Sequence, residues 1–138
     1  MLNLGNFFRQ GQNNSLTIKN NGSFSYNGPW LQVYDNTLLD RWHVGEFSSV
    51  EYTISVDLDT ENKEIIKALV TATVDTASIV VFARNNTNKD LVEITATVNE
   101  SYVNLILNPA ISEDSTPNDG LKAIYTAHYF HNQNPLRV

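Results

Sequence analysis

The sequence predicts an all-β fold, a single-domain antiparallel β-sandwich, from three observations centred on residues 48–109. Apolar and polar residues alternate with period two over long windows, which is typical of strands with one buried and one solvated face. β-branched residues dominate those windows, as strands prefer. Turn signals recur every roughly eight to twelve residues, which gives about eight or nine strands. A jelly roll fits that count, and an immunoglobulin-like sandwich is the alternative.

The first part of the chain predicts a hairpin followed by a third strand. Ser15–Lys19 alternates as a strand does, and the Asn20–Gly22 turn leads into a return strand at Ser23–Tyr26. Trp30–Tyr34 is predicted to be the third strand. The segment Asp35–Phe47 has no regular pattern, so we expect it to hold a short helical turn and to cover an open end of the sandwich.

The rest of the chain predicts a series of strands joined by turns. Their windows are Val50–Leu58, Ile66–Val74, Ile79–Phe82, Val92–Val98, Val103–Leu107 and Leu121–Phe130. Ile79–Phe82 differs from the others because it is a continuous apolar run without alternation. The longest polar connection, residues 110–120, is predicted to be a mobile loop.

The composition fits one domain and excludes several classes of chemistry. A chain of 138 residues can bury a core, and the absence of Cys excludes disulfides, thiolate metal sites and a thiol nucleophile. The net charge is -6, and the nine Lys and Arg residues are spread singly, so nucleic acid and anionic membranes are not expected partners. The apolar runs are too short to span a membrane, and the start of the chain does not have the pattern of a secretory signal.

Residues 1–12 are predicted to form an N-terminal arm ahead of a sandwich domain at residues 13–138. The arm carries four apolar side chains that need burial, and they are the first candidate interaction residues: Leu2, Leu4, Phe7 and Phe8. The arm packs either on its own domain or on a neighbouring subunit, and the residues leave both arrangements open. The second arrangement would make the protein a homo-oligomer.

No catalytic or cofactor-binding constellation is recognisable, so the sequence predicts a protein that is not an enzyme and holds no cofactor. None of the three His residues lies in a nucleophile motif, and no Gly-rich turn precedes a helix. Asp57, Asp59 and Glu61 alternate as at the start of a calcium loop, but the Gly that such a loop needs is missing. We interpret these residues as a solvated acidic loop and predict no metal site.

Aromatic residues give a second set of candidate interaction residues. The set that would form a stacking platform for a sugar, beside Asn and Asp side chains, is Trp30, Tyr34, Trp42, Tyr129 and Phe130. Aromatic residues are used more often in a core or a protein interface. A glycan is therefore an alternative ligand.

Three stretches of the chain resemble virion structural proteins from tailed phages that infect marine cyanobacteria. They are Glu51–Val74, Val80–Asn88 and Tyr129–Leu136, and the resemblance covers roughly residues 48–138. The similar stretches consist of strand and turn residues, so the resemblance assigns no catalytic residue to this chain. The resemblance implies a non-enzymatic structural protein, a capsid or tail component that decorates or joins the particle through protein–protein contacts.

The expected partners are therefore other virion proteins and further copies of the chain. The expected location is the virion, assembled in the host cytoplasm. A carbohydrate- or receptor-binding β-sandwich module is the alternative function.

Overall fold

The computed structural model describes residues 8–10, 16–20, 23–110 and 120–133. These residues form β1 (Phe8–Gln10), β2 (Leu16–Asn20), β3 (Ser23–Asn27), β4 (Leu31–Gln32), β5 (Thr37–His43), β6 (Phe47–Asp57), β7 (Lys63–Ala72), β8 (Ala77–Asn86), β9 (Val92–Asn99), β10 (Tyr102–Pro109) and β11 (Lys122–His131). In this part of the chain, no helix has the length and apolar character needed to cross a membrane.

The strands form two sheets that pack on each other. The larger sheet has the order β1-β2-β3-β11-β6-β7-β8, and β4 pairs with β11 beyond the end of β3. The smaller sheet has the order β5-β10-β9. Each of these pairings is antiparallel. The predicted all-β antiparallel sandwich is confirmed, while its assignment as a jelly roll stays a prediction.

The core lies between the two sheets and follows the period-two pattern of the sequence. Alternate residues of β6 and β10 are at most 1% exposed: Val50, Tyr52, Ile54, Val56, Val103, Leu105 and Leu107. They belong to one hydrophobic cluster to which both sheets contribute. The residues between them on β6 and β10 are exposed or partly exposed, so the alternation selects the face of each strand that packs inward.

The segment Asp35–Phe47 contains strand β5, so the predicted short helical turn is wrong. Asn36, with a φ of 54°, lies in the turn that precedes the strand. The register of β5 against β10 shifts so that Asp40 and Leu38 have partners while Leu39 is an extra residue. Such a β-bulge interrupts the period-two pattern, which is why the sequence of this strand looks irregular.

The N-terminal predictions have mixed outcomes. The predicted hairpin is present as β2 and β3, but the predicted third strand at Trp30–Tyr34 is reduced to Leu31–Gln32. Within the predicted arm, Phe8–Gln10 forms β1 and pairs with β2. The candidates Leu2, Leu4 and Phe7 lie outside the described residues, as do residues 111–119 of the predicted mobile loop.

Candidate functional site

A carboxylate and three tyrosines meet between the sheets, and we call them the Asp40–tyrosine cluster: Asp40, Tyr52, Tyr125 and Tyr129. Asp40 lies opposite the buried Leu105 and, like the buried Trp42, faces the larger sheet. The bulge leaves the neighbouring Leu39 as the extra residue. The hydroxyls of Tyr52 and Tyr129 donate to Asp40 Oδ2 at 2.7 and 2.6 Å. The hydroxyl of Tyr125 donates to Oδ1 at 3.3 Å, and the Arg41 backbone N–H donates to the same oxygen at 2.9 Å.

Burial controls the protonation of the cluster. It raises the pKa of the Asp40 carboxyl, and the hydrogen bonds from the tyrosines oppose that increase. Burial, together with the nearby charge of Asp40, raises the pKa of Tyr52, Tyr125 and Tyr129 well above the ordinary tyrosine range. The three phenols therefore stay protonated and act as hydrogen-bond donors to Asp40.

The arrangement acts as a structural link between the sheets. A carboxylate has about four lone-pair sites, and Asp40 receives four donors, so its oxygens have no acceptor site left for a substrate. Trp42 extends the link because its Nε1–H donates to the Tyr52 oxygen at 3.0 Å. The cluster thus connects β5 of the smaller sheet to β6 and β11 of the larger one. Asp40 could not be recognised from the sequence because the bulge at Leu39 interrupts the alternation of β5.

We expect the raised tyrosine pKa values to make the fold sensitive to alkaline pH. Tyrosines whose folded pKa exceeds the unfolded value contribute stability that is present below about pH 10 and is lost above it. The pKa of Asp40 is also raised, so the folded state binds its proton more tightly than the unfolded state does. The contribution of Asp40 to the free energy of unfolding is therefore largest in acid, and Asp40 does not promote acid unfolding. The free energy of unfolding should fall above pH 10 by up to ~1.4 kcal/mol per pH unit for each protected tyrosine.

Urea denaturation at a series of pH values measures this slope. Tyr129→Phe removes one protected phenol and should make the alkaline slope shallower than that of the wild type. Tyr34→Phe is the matched control because the Tyr34 side chain lies on the surface. Equal slopes for wild type and Tyr129→Phe would contradict the expectation.

A second buried carboxylate, Glu64 on β7, organises one end of the sandwich. Its side chain is fully buried, and its Oε2 accepts from Arg84 Nη1 at 3.0 Å and from Asn86 Nδ2 at 3.1 Å. Its Oε1 accepts from the Leu91 backbone N–H at 3.0 Å. Arg84 Nη1 also donates to the Val92 carbonyl at 3.1 Å. Glu64 therefore ties β8 and the start of β9 to β7.

Two of the three carboxylates in the predicted acidic loop, those of Asp57 and Asp59, bond within the protein. Asp59 Oδ1 accepts from the backbone N–H groups of Glu61 and Asn62, both at 2.8 Å. Those bonds lower the pKa of Asp59. Asp57 forms an ion pair with Lys63 Nζ at 3.0 Å. The described residues contain no group of three or more His, Cys, Asp or Glu side chains placed to hold a metal ion.

The outer face of the larger sheet carries a serine–histidine pair. Ser25 Oγ lies 2.7 Å from His128 Nδ1, and Glu51 is opposite His128 in the register of β6 and β11. Among the described residues, no hydrogen bond joins Glu51 to His128, so the imidazole lacks an orienting carboxylate. Phe130 packs edge-on against His128, with the ring centroids 4.8 Å apart. Within the described ranges, the pair therefore forms part of the sheet surface with no carboxylate hydrogen-bonded to the imidazole.

The predicted aromatic platform is divided between the surface and the core. Trp30 and Phe130 are 47% and 44% exposed and remain available to a partner. Trp42 and Tyr129 are 3% and 4% exposed, because both face the space between the sheets and join the Asp40–tyrosine cluster. Their rings therefore cannot contribute to a surface platform while the domain is folded.

Exposed apolar side chains concentrate on the last strand of the larger sheet. Leu69 on β7 and Val80, Val81 and Phe82 on β8 form what we call the β8 edge surface, and each is between 39% and 55% exposed. Val80 lies opposite the exposed Leu69, and Val81 lies opposite the buried Ala68. The two faces of β8 are therefore both apolar. The sequence indicated this strand as a continuous apolar run, but it could not indicate that the run is exposed.

Comparisons with known proteins give a structural likeness at low sequence identity. No family model matches the chain, and no curated protein matches it. Among solved structures, the chain is similar to the tailspike protein of Acinetobacter baumannii phage AM24, with a TM-score of 0.44 and 11% identity over 77% of this chain. The chain spans 26% of the tailspike's length. At this score and identity, we assign no role from the likeness.

Proposed function

We propose that this protein is a non-enzymatic structural component of a tailed-phage virion, which decorates or joins the capsid or tail through protein–protein contacts. The observation that carries the proposal is the β8 edge surface. Its four apolar side chains lie on both faces of the sheet at its β8 edge and are between 39% and 55% exposed, and concentrated apolar exposure of this kind marks interaction sites. The resemblance of Glu51–Val74 and Val80–Asn88 to cyanobacterial phage virion proteins supports the same role.

The chemistry of the surface favours a protein partner over a glycan. Three of its four side chains are aliphatic, and aliphatic area gains free energy by burial against another apolar surface, at about 25 cal/mol per Å² before ordering costs. A sugar site would rely on exposed aromatic rings with polar neighbours. Glycan binding stays a prediction because Trp30 and Phe130 are exposed. Two other rings of the predicted platform, Trp42 and Tyr129, are in the core.

The proposal is tested by incorporation into particles. We expect the chain in density-purified virions of the phage that encodes it, detected by quantitative mass spectrometry. Val80→Lys with Phe82→Lys should lower its copy number by about tenfold or more, because each ~1.4 kcal/mol of lost contact energy is a factor of ten in affinity. Both positions are exposed, so the free energy of unfolding should change by less than about 1 kcal/mol.

The matched control is Val74→Lys. Val74 is 63% exposed in the turn between β7 and β8, so the same substitution adds a charge outside the β8 edge surface. It should be incorporated like the wild type. Absence of the wild-type chain from particles would contradict the virion role, and normal incorporation of the double lysine variant would contradict the role of this surface.

A further inference from the structure

We propose that β8 pairs with β8 of a second copy of the chain, antiparallel and about a two-fold axis, so that the two larger sheets become one continuous sheet. The inference rests on the proposed function, since it names the partner of the β8 edge surface. It also specifies the geometry of the contact, which is main-chain pairing between sheet edges.

The edge of β8 is open, and it carries one feature that can protect an edge: the register against β7 shifts after Ala68 and leaves Phe82 as an extra residue, a β-bulge. β8 pairs with β7 on one side and ends the order of the larger sheet among the described strands. Exposed edges are normally blocked by a charge, a proline, a β-bulge or short length, since they can pair with another chain. β8 has ten residues, and its run from Ala77 to Val81, which lies before the bulge, pairs with β7 in unbroken register and contains neither a charged residue nor Pro. Such an edge is suited to receive another strand.

Both faces of β8 have the apolar character of a strand inside a sheet. Val80 shares the outer face with Leu69, while Val81 faces the sandwich side with Ala68. Val81 is still 39% exposed, so the smaller sheet does not cover it fully. Continuous apolar runs are typical of strands with neighbours on both sides and cover on both faces. A strand added to β8 would provide part of that cover.

A second copy of the chain fits this edge by symmetry and by charge. An antiparallel pairing centred on Val80 puts each Val80 opposite its symmetry mate and puts Ile79 opposite Val81 of the other copy. Ile79 and Val81 lie opposite the buried Val70 and Ala68 of their own sheet, so apolar side chains on the same face would meet. The chain has a net charge of -6 and repels its own copies, but the uncharged run lets the edges approach.

Site-specific crosslinking tests the pairing in the full chain, which contains no Cys of its own. In the proposed register, the β-carbons of the two copies of residue 80 would be about 4.5–5.5 Å apart. Val80→Cys should therefore give a covalent dimer with a short bis-maleimide. Val74→Cys, an equally simple change at an exposed valine off the strand, should stay monomeric on a denaturing gel.

Light scattering over a concentration series completes the test. The wild type should associate, and Val80→Lys should lower the association constant by at least about tenfold, because two lysines would then oppose each other across the axis. A monomeric wild type together with an uncrosslinked Val80→Cys would overturn the pairing, even if particle incorporation depends on Val80 and Phe82. Crosslinking of a chain that is absent from particles would support the pairing and overturn the virion role.

Discussion

Replacing Asp40 with alanine should lower the free energy of unfolding by roughly 2 to 4 kcal/mol. The substitution removes the acceptor of three tyrosine hydroxyls that lie between the two sheets. A buried donor without an acceptor costs about 1–3 kcal/mol. Release of the desolvated carboxylate, whose pKa is raised by burial, offsets part of that cost. Urea denaturation at neutral pH measures the difference.

Two further variants separate the hydrogen bonds from the charge. Asp40→Asn keeps Oδ1 for Tyr125 and the Arg41 N–H but replaces Oδ2 by an amide donor, so we expect a smaller loss than for alanine. Tyr129→Phe removes one donor. A double-mutant cycle of Asp40→Ala with Tyr129→Phe should show coupling, because the two changes remove the same bond. Additive effects, or a stable Asp40→Ala variant, would refute the structural link.

The strands whose inward faces the sequence predicted correctly are those with uninterrupted alternation. β6 and β11 keep period two along most of their length, and their inward residues are the buried ones. β5 was missed because the extra residue Leu39 is buried between the exposed Leu38 and the inward-facing Asp40, which breaks the period-two pattern. A bulge of this kind is specified by the partner strand, which lies far away in the sequence.

Glu64 could have been found from the sequence, while the role of the aromatics could not. Glu64 has the same parity as the predicted inward residues Ile66 and Val70, so a period-two pattern already placed its carboxylate in the core. Trp30 and Trp42 are chemically the same, and only the tertiary structure places one on the surface and the other between the sheets.

The exposure of β8 also depends on topology. A continuous apolar run predicts a strand buried on both faces, and Ile79–Phe82 has that pattern. The order of the larger sheet instead places β8 at its end among the described strands, where the run is exposed. The run has the sequence of a strand buried on both faces, but it lies exposed at the end of the sheet. This difference is the physical reason for expecting another strand beside β8.

Glu64→Ala should destabilise the fold by about 3–5 kcal/mol, the range for breaking one side of a buried ion pair. The change leaves the Arg84 guanidinium, whose side chain is 23% exposed, with the more distant Asp90 at 3.6 Å as its ion-pair partner. It also removes the acceptor of the Leu91 N–H. Leu91 is fully buried, and without this acceptor its amide hydrogen should exchange faster than in the wild type, even where the rest of the sandwich stays protected.

Glu64→Gln is the matched control for this site, since it has nearly the same volume. Its carbonyl can keep the bond from the Leu91 N–H, but its amide group faces the donors of Arg84 and Asn86. We expect a loss in stability between wild type and alanine, with slow exchange retained at Leu91. Lys63→Ala removes an ion pair of the same N–O distance, 3.0 Å, at the surface, and it should cost less than about 1 kcal/mol because water screens exposed charges. Equal losses in the free energy of unfolding for Glu64→Ala and Lys63→Ala would contradict the expectation, because the buried ion pair would then stabilise the fold no more than the exposed one.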